Sequence, residues 1–305
     1  MESDRCVDGD AAASGMTSFA EQSAAEPADQ FVAHQPMLHG LAYRLLGSWH
    51  DAEDVVQEAY VRWSGVDQAG VSEPRRYLTR VVARLAVDHL RRRRVLREGY
   101  VGEWLPEPVA TDPSPFSAVD TSDLSLAVLH LMERLTPPQR AVYVLRTAFE
   151  LPYDEIAAIV DRTPEDCRQL HRRAAQTLEV DRPRFAPSRD EHRRLLTDFV
   201  AAARDGDLPR LESMLRADVI AWTDGGGRVR AARRPIAGRA RVAYFFARIY
   251  RRGGTFKVVH LDLNGAPALV VETSRSVHAL LVEADGHEIV GVYVVANPDK
   301  LAAAQ

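Results

Sequence analysis

The side chains of this 305-residue chain with the strongest chemical character are clustered guanidinium and carboxylate groups. All but Lys257 and Lys300 of its 39 basic residues are arginine. From Arg75 to Arg97, nine arginines stand against Asp88 alone, whereas Glu98 to Asp123 holds six acids and no base, so a net charge of −4 conceals a basic element followed by an acidic tether. Guanidinium groups at that density suit a polyanion, with phosphate contacts giving affinity and base edges giving sequence discrimination. Arg91, Arg92, Arg93 and Arg94 point all round a helix at 100° per residue, so with Arg80 and Arg84 some of them must meet phosphates. A second cluster, Asp51, Glu53, Asp54, Gln57 and Glu58, lies opposite Val55, Val56 and Ala59; it suits a basic partner and equally complements a helix dipole.

A third group follows Leu151. Ile156, Ala157 and Val160 make an inward face, a short turn follows, and Thr163 with Pro164 and Asp166 opens a second helix. Leu170, Ala174 and Leu178 would face inward, leaving Glu165, Arg168, Gln169, His171 and Arg172 outward. That is the pattern of a helix-turn-helix whose second helix reads the major groove, and also of a helical hairpin with a solvated basic face. No glycine-rich phosphate loop, nucleophile with an evident base, or metal-ligand spacing accompanies these groups, so the chain is read as not an enzyme, with no metal and no cofactor. Cys6 and Cys167 are read as free thiols.

The elements that must position these groups divide the chain. Residues 1–28 are rich in Ala, Ser, Asp and Glu with almost no large apolar side chains and are expected to stay disordered. Residues 29–97 carry helical periodicity (Leu38, Leu41, Leu45, Val55, Val56, Trp63), and 123–182 form a second helical module. The linker 98–122 contains Pro106, Pro108, Pro113 and Pro115, which forbid a continuous helix. Residues 188–305 change texture, with helices about 190–205, 208–215 and 239–250, then strands over 255–263, 268–272, 277–282 and 289–296. The fold class is therefore multidomain: two all-α modules and an α+β domain with a curved antiparallel sheet. No apolar run spans a bilayer and no signal peptide precedes the first helix, so a cytoplasmic chain with no membrane contact is expected.

Leu46-Gly-Ser-Trp-His-Asp-Ala-Glu-Asp-Val-Val-Gln-Glu-Ala-Tyr-Val-Arg-Trp63, the Arg-rich segment to Arg94 and the helix-turn-helix together resemble a bacterial extracytoplasmic-function sigma factor over about residues 29–180. The resemblance implies that Asp51, Glu53, Asp54, Gln57 and Glu58 dock on the beta-prime clamp helices of core RNA polymerase and that the beta subunit is a further partner. It also implies that Arg80, Arg84 and Arg91 to Arg94 serve the minus-ten element of promoter DNA, and Thr163, Glu165, Arg168, Gln169, His171 and Arg172 the minus-thirty-five element. Trp104-Leu-Pro-Glu-Pro108, Asp224-Gly-Gly-Gly-Arg228 and Asn297-Pro-Asp-Lys-Leu301 narrow it to the sigma-J-like subgroup, which carries a fused SnoaL-like domain. An NTF2-like cone that regulates the sigma core in cis is then expected for residues 188–305. Trp104, Leu105, Pro106, Asp224, Gly225, Gly226, Gly227, Asn297, Pro298 and Asp299 form its interdomain contacts in that reading.

Relatives of the cone include enzymes that place Asp or His inside it. Trp222, His260, Asp262 and His278 are the residues that could line a pocket for an unknown small molecule. The alternative function is a helix-turn-helix regulator whose C-terminal domain binds or converts a metabolite. An acidic docking helix beside a separate Arg-rich helix favours the sigma factor, since a simple repressor needs neither.

Overall fold

The computed structural model describes residues 14–67, 70–97, 99–111, 125–179, 185, 187–252, 256–273 and 276–304, with backbone alone for 14–27, 94–97 and 252. Helices α1 (Ser14–Leu46), α2 (Trp49–Ser64) and α3 (Pro74–Arg97) make the first module. In α2, Ser48 caps the helix by accepting from the Asp51 amide at 3.2 Å, and Ala52, Val55, Val56, Ala59 and Trp63 bury one stripe at helical spacing. Helix α1 starts inside the segment expected to be a disordered tail. Ala20, Ala24 and Ala25 favour that helical backbone, and the expectation for residues 1–13 lies outside the described residues.

Helices α4 (Leu126–Met132), α5 (Pro137–Thr147), α6 (Tyr153–Val160) and α7 (Pro164–Glu179) make the second module. Between α6 and α7, Asp161 takes the left-handed turn at φ 58°, a conformation Asp tolerates better than most side chains. The two modules are not separate globules. Leu38, Leu45, Trp63, Leu78 and Val82 of the first belong to one buried cluster with Leu145, Ile156, Val160 and Leu178 of the second.

The third module packs α8 (Arg189–Asp205), α9 (Leu208–Met214) and α10 (Arg239–Arg252) on a six-stranded sheet. Its strands are β1 (Leu215–Asp224), β2 (Ile236–Ala237), β3 (Phe256–Leu263), β4 (Ala266–Thr273), β5 (Val277–Asp285) and β6 (Glu288–Val295), in the order β2-β1-β6-β5-β4-β3. Strands β3 to β6 coincide with the four expected runs, and Asn264-Gly265 forms the β3–β4 turn with both residues at positive φ. Strand β1 was not foreseen. It pairs in parallel with β6, some seventy residues on, so the sheet is mixed where an antiparallel one was expected; such a long-range pairing leaves no local turn signal.

Both faces of this sheet are covered. Leu269, Val271, Leu280, Val282 and Val292 pack on α8, α9 and α10 through Phe199, Leu211, Phe246 and Tyr250. On the other face Leu263, Ala268, Leu281, Tyr293 and Val295 meet Leu105 of the linker, Leu126 and Ala127 of α4, and Leu301 and Ala304 of the C-terminal tail. The domain's second face is thus completed by the helical half of the chain.

Candidate functional site

On α2, Asp54, Gln57 and Glu58 are exposed, Glu53 is half-buried, and Val61 stands 69% exposed beside them. Asp51 differs. Its carboxylate is engaged by Arg93 and lies 3.6 Å from His89, both on α3, so it serves the α2–α3 contact and the outward acidic face narrows to its three exposed neighbours.

The α3 arginines are largely committed. Arg84 donates to the Ala158 carbonyl at 3.0 Å and Arg91 to that of Val160 at 3.3 Å, the unsatisfied carbonyl end of α6 where cations are favoured. Arg76 pairs with Glu155 of α6, Nε to Oε2 at 2.8 Å, and holds that carboxyl below its usual range. Arg92 donates to the Asp88 carbonyl, and Arg93 to the Leu46 carbonyl while its guanidinium lies 5.1 Å from the centre of the Trp104 ring. Arg80 is exposed; the side chain of Arg94 lies outside the described residues.

On α7, Thr163, Glu165, Arg168, Gln169 and Arg172 are exposed, with Arg168 bonded to Glu165 at 2.9 Å. His171, expected to point outward, instead stacks on Tyr143 at 5.8 Å and lies 3.4 Å from the Tyr153 hydroxyl. Helical spacing accounts for this: Cys167, His171, Ala174 and Leu178 form one stripe, and the first, third and fourth are buried.

The linker residues 104–111 lie in a slot between all three modules. Leu105, Pro106, Glu107 and Pro108 are buried. Glu107 accepts from Ser48 Oγ at 2.8 Å and from the Trp49 and His50 amides at 2.7 and 3.2 Å, so it caps the start of α2 from outside that module. The Tyr43 hydroxyl donates to the Glu107 carbonyl and accepts from Asn264 of the β3–β4 turn, whose backbone amide and side-chain oxygen bracket Val109. Asp224, fully buried at the end of β1, accepts from Tyr100 Oη at 2.6 Å, the Leu105 amide at 2.9 Å, the Gly226 amide at 3.0 Å and Lys300 Nζ at 2.7 Å. Lys300 also donates to the Leu105 carbonyl at 2.6 Å and sits 3.9 Å from the Trp104 ring centre. Burial and the Asp224 carboxylate push the Tyr100 phenol well above its usual range. Asn297 donates to Tyr100 and lies over Gly226, where a Cβ would come within 2.3 Å of its amide nitrogen; φ of +57° there independently favours glycine. Pro298 and Asp299 are exposed, and Asp299 pairs with Arg228 at 3.2 Å.

Helix α4 and α5 close the junction. Arg140 is buried and donates twice to the Arg44 carbonyl of α1, at 3.2 and 3.0 Å, while pairing with Glu133. His130 lies edge-on to Trp222 at 5.2 Å and to Tyr293 at 5.8 Å; burial lowers its pKa to about 4, keeping it neutral at physiological pH.

Residues 31–95 match the Sigma-70 region 2 family and residues 125–178 the Sigma-70 region 4 family. The ECF RNA polymerase sigma factor SigJ of Mycobacterium tuberculosis is 32% identical over 288 residues, covering 89% of this chain and 92% of the relative. The chain is an extracytoplasmic-function sigma factor. The probable sigma factor SigI of the same organism is 29% identical over 88% of this chain and 92% of its own length. The crystal structure of the M. tuberculosis SigJ protein superposes with a TM-score of 0.75 at 30% identity, covering 90% of this chain and 98% of that one. Family membership decides for transcription initiation over the metabolite-regulator reading, and places core RNA polymerase and promoter DNA among its partners.

In this sigma factor the four pocket residues do not converge, which corrects the expectation of a shared pocket. Trp222 stacks on Tyr293 at 4.9 Å on the linker face of the sheet. His260 is exposed on β3, and Asp262 is bonded to Arg189 at 2.6 Å and Arg193 at 3.2 Å. His278 is buried inside the cone, 3.0 Å from the Tyr250 hydroxyl, its pKa lowered to about 4 by burial, whereas His260 and Asp262 share its sheet face on the edge strand β3. Alternation puts Trp222 and Asp224 on one sheet face and His278 on the other, and only the strand pairings reveal which face is which. Sequence reasoning missed Glu107, Tyr43, Asn264 and Arg140, whose roles depend on contacts 57 to 221 residues apart in the chain. Among the described residues no group of three or more His, Cys, Asp or Glu could hold a metal, and no helix is long and apolar enough to cross a membrane.

Proposed function

We propose that this sigma factor rests in a closed state, held shut in cis by its NTF2-like C-terminal domain, and opens to initiate transcription. The observation that carries this reading is the single core shared by the two helical modules. The minus-ten and minus-thirty-five elements are about 25 base pairs apart, roughly 85 Å at 3.4 Å per base pair. Helices packed in one core cannot reach both. Arg84 and Arg91, proposed for the minus-ten element, are in addition bound to α6 carbonyls. The C-terminal domain favours this arrangement through Asp224, Lys300 and the buried linker; that Asp224–Lys300 pair is stable in the interior because three more donors satisfy its carboxylate.

In the open state Asp54, Gln57 and Glu58, with Glu53 at the edge, dock on the beta-prime clamp helices, and the second module contacts the beta subunit. Arg80, Arg84, Arg91 and Arg92 take phosphates near the minus-ten element, while Thr163, Glu165, Arg168, Gln169 and Arg172 meet the minus-thirty-five element. The protein is cytoplasmic and acts by binding, without catalysis. Cysteines replacing Arg76 and Glu155, joined by a bis-thiol-reactive cross-linker with a reducible disulfide spacer that spans the distance of the native ion pair and locks α3 on α6, test the closed state once cross-linking is verified by mass. Promoter-dependent transcription by the full chain with core polymerase is expected to fall at least tenfold and to return on reduction with dithiothreitol. Equal transcription by the cross-linked and reduced forms overturns the reading.

A further inference from the structure

The C-terminal domain holds an arginine cluster as dense as that of α3. Residues 228–252 contain nine arginines and no Asp or Glu. An arginine-favouring composition explains the arginines but not the missing acids. Helix α10 buries Val242, Ala243, Phe246, Ala247 and Tyr250, and Arg241, Tyr244, Arg248 and Arg251 form the opposite, exposed stripe. Its first turn has no acid despite the positive end of the helix dipole, an arrangement that costs stability. Tyr244, Arg248 and Arg251 line an open groove of about 530 Å³ with Gly206 and Leu208. The carboxylates flanking Gly206 are otherwise engaged: Asp205 pairs with Arg204, and Asp207 caps α9. Ahead of α10, Arg230, Arg233 and Arg234 are exposed. Among the described residues, no ion pair holds these three or Arg241, Arg248 and Arg251, whereas Arg228 and Arg239 reach Asp299 and Glu288.

Position supplies the second argument. Gly102, five residues beyond the end of α3, packs on the Arg233 backbone, where a Cβ would lie 3.8 Å from its Cα. The Arg230–Arg234 loop therefore lies beside the segment that leaves α3, and its three arginines are exposed in the closed state.

We propose that this surface binds the phosphodiester backbone of duplex DNA, giving the C-terminal domain a sequence-independent hold on the template. The inference rests on the sigma-factor reading for bringing DNA alongside α3. Unpaired guanidinium groups on a helix face and an adjacent loop suit phosphates that follow a groove edge, and an exposed tyrosine among them adds a hydroxyl donor.

Full-length protein is titrated with a 40-base-pair random-sequence duplex at several KCl concentrations. In the Arg230→Ala/Arg233→Ala/Arg234→Ala variant, and separately in Arg241→Ala/Arg248→Ala/Arg251→Ala, the slope of log K against log salt should shrink by about 2 to 3, near 0.9 for each phosphate no longer neutralised. Affinity at low salt should fall at least tenfold, while circular dichroism and core-polymerase binding stay as in the parent. Unchanged slopes in both variants overturn the proposal. So does loss of polymerase binding at an unchanged DNA slope, which would assign the surface to a protein partner. Failure of the cross-linked lock to block transcription, with these slopes reduced, would overturn the closed state and leave this surface standing.

Discussion

Two arginine-rich segments of this protein have nearly the same composition and opposite surroundings. In residues 75–97, Arg76, Arg84, Arg91 and Arg93 are spent on Glu155, two α6 carbonyls, Asp51 and Trp104. In residues 228–252, six exposed arginines have no such ties among the described residues. Density of charge therefore does not determine availability. The second helical module engages Arg76, Arg84 and Arg91 by offering helix C-terminal carbonyls and one carboxylate, and it is held there by Arg140 and by the junction around Asp224. If that is the reason for the difference, loosening the junction should make the two segments alike.

The largest effect is expected from Asp224→Ala, which leaves the Lys300 ammonium buried without its carboxylate. Removal of one partner from a buried pair costs about 3 to 5 kcal/mol, read as a lower urea midpoint, and the salt slope for DNA should steepen as α3 becomes free. A loss under 1 kcal/mol with an unchanged slope would break the comparison. Leu105→Ala should cost about 3 kcal/mol by vacating a fully buried site, with hydrogen exchange rising at the Trp49 and His50 amides capped by the neighbouring Glu107. If exchange rises only within 188–305, the linker does not hold the helical half.

Acid offers a third route. His130 and His278 each have a folded pKa near 4 against 6.5 when free, so the folded state binds fewer protons and stability falls as pH drops from about 6.5 toward 4. Between pH 7 and 5 each histidine accounts for about 2 kcal/mol. His130→Phe should remove that share at the junction and His278→Phe the same share inside the cone, compared by urea unfolding at both pH values. Only the first should alter how acid changes the exposure of α3; identical effects on DNA binding would show that the junction has no special part.

The smallest expected effect distinguishes arginines that read bases from those that hold phosphates. Arg172→Ala should weaken a matched promoter about tenfold, near the low end for removing a bidentate hydrogen-bond pair to a base, and leave random duplex unaffected. An equal loss on both duplexes would place Arg172 with the phosphate-binding group.

Local rules were sufficient for much of this molecule. Periodicity and caps located α2, α7 and α8, turn chemistry at Asn264-Gly265 located the β3–β4 hairpin, and the resemblance of three short motifs to the sigma-J-like subgroup pointed to Trp104, Asp224 and Asn297. These features are legible because each is written in residues within a few positions of one another. The inward turn of half-buried His171 was within reach of the same reasoning, since Cys167, Ala174 and Leu178 define its stripe. What needed the tertiary structure was every property that joins distant residues. The strand pairings and the helices packed on them decided which sheet face is the cone and so separated Trp222 from His260, Asp262 and His278; Glu107 became a cap only because α2 begins against it; Arg84 and Arg91 of α3 lost their freedom only because α6 ends beside them. Spacing along a chain specifies which face of an element a side chain occupies. What meets that face is settled when the elements pack.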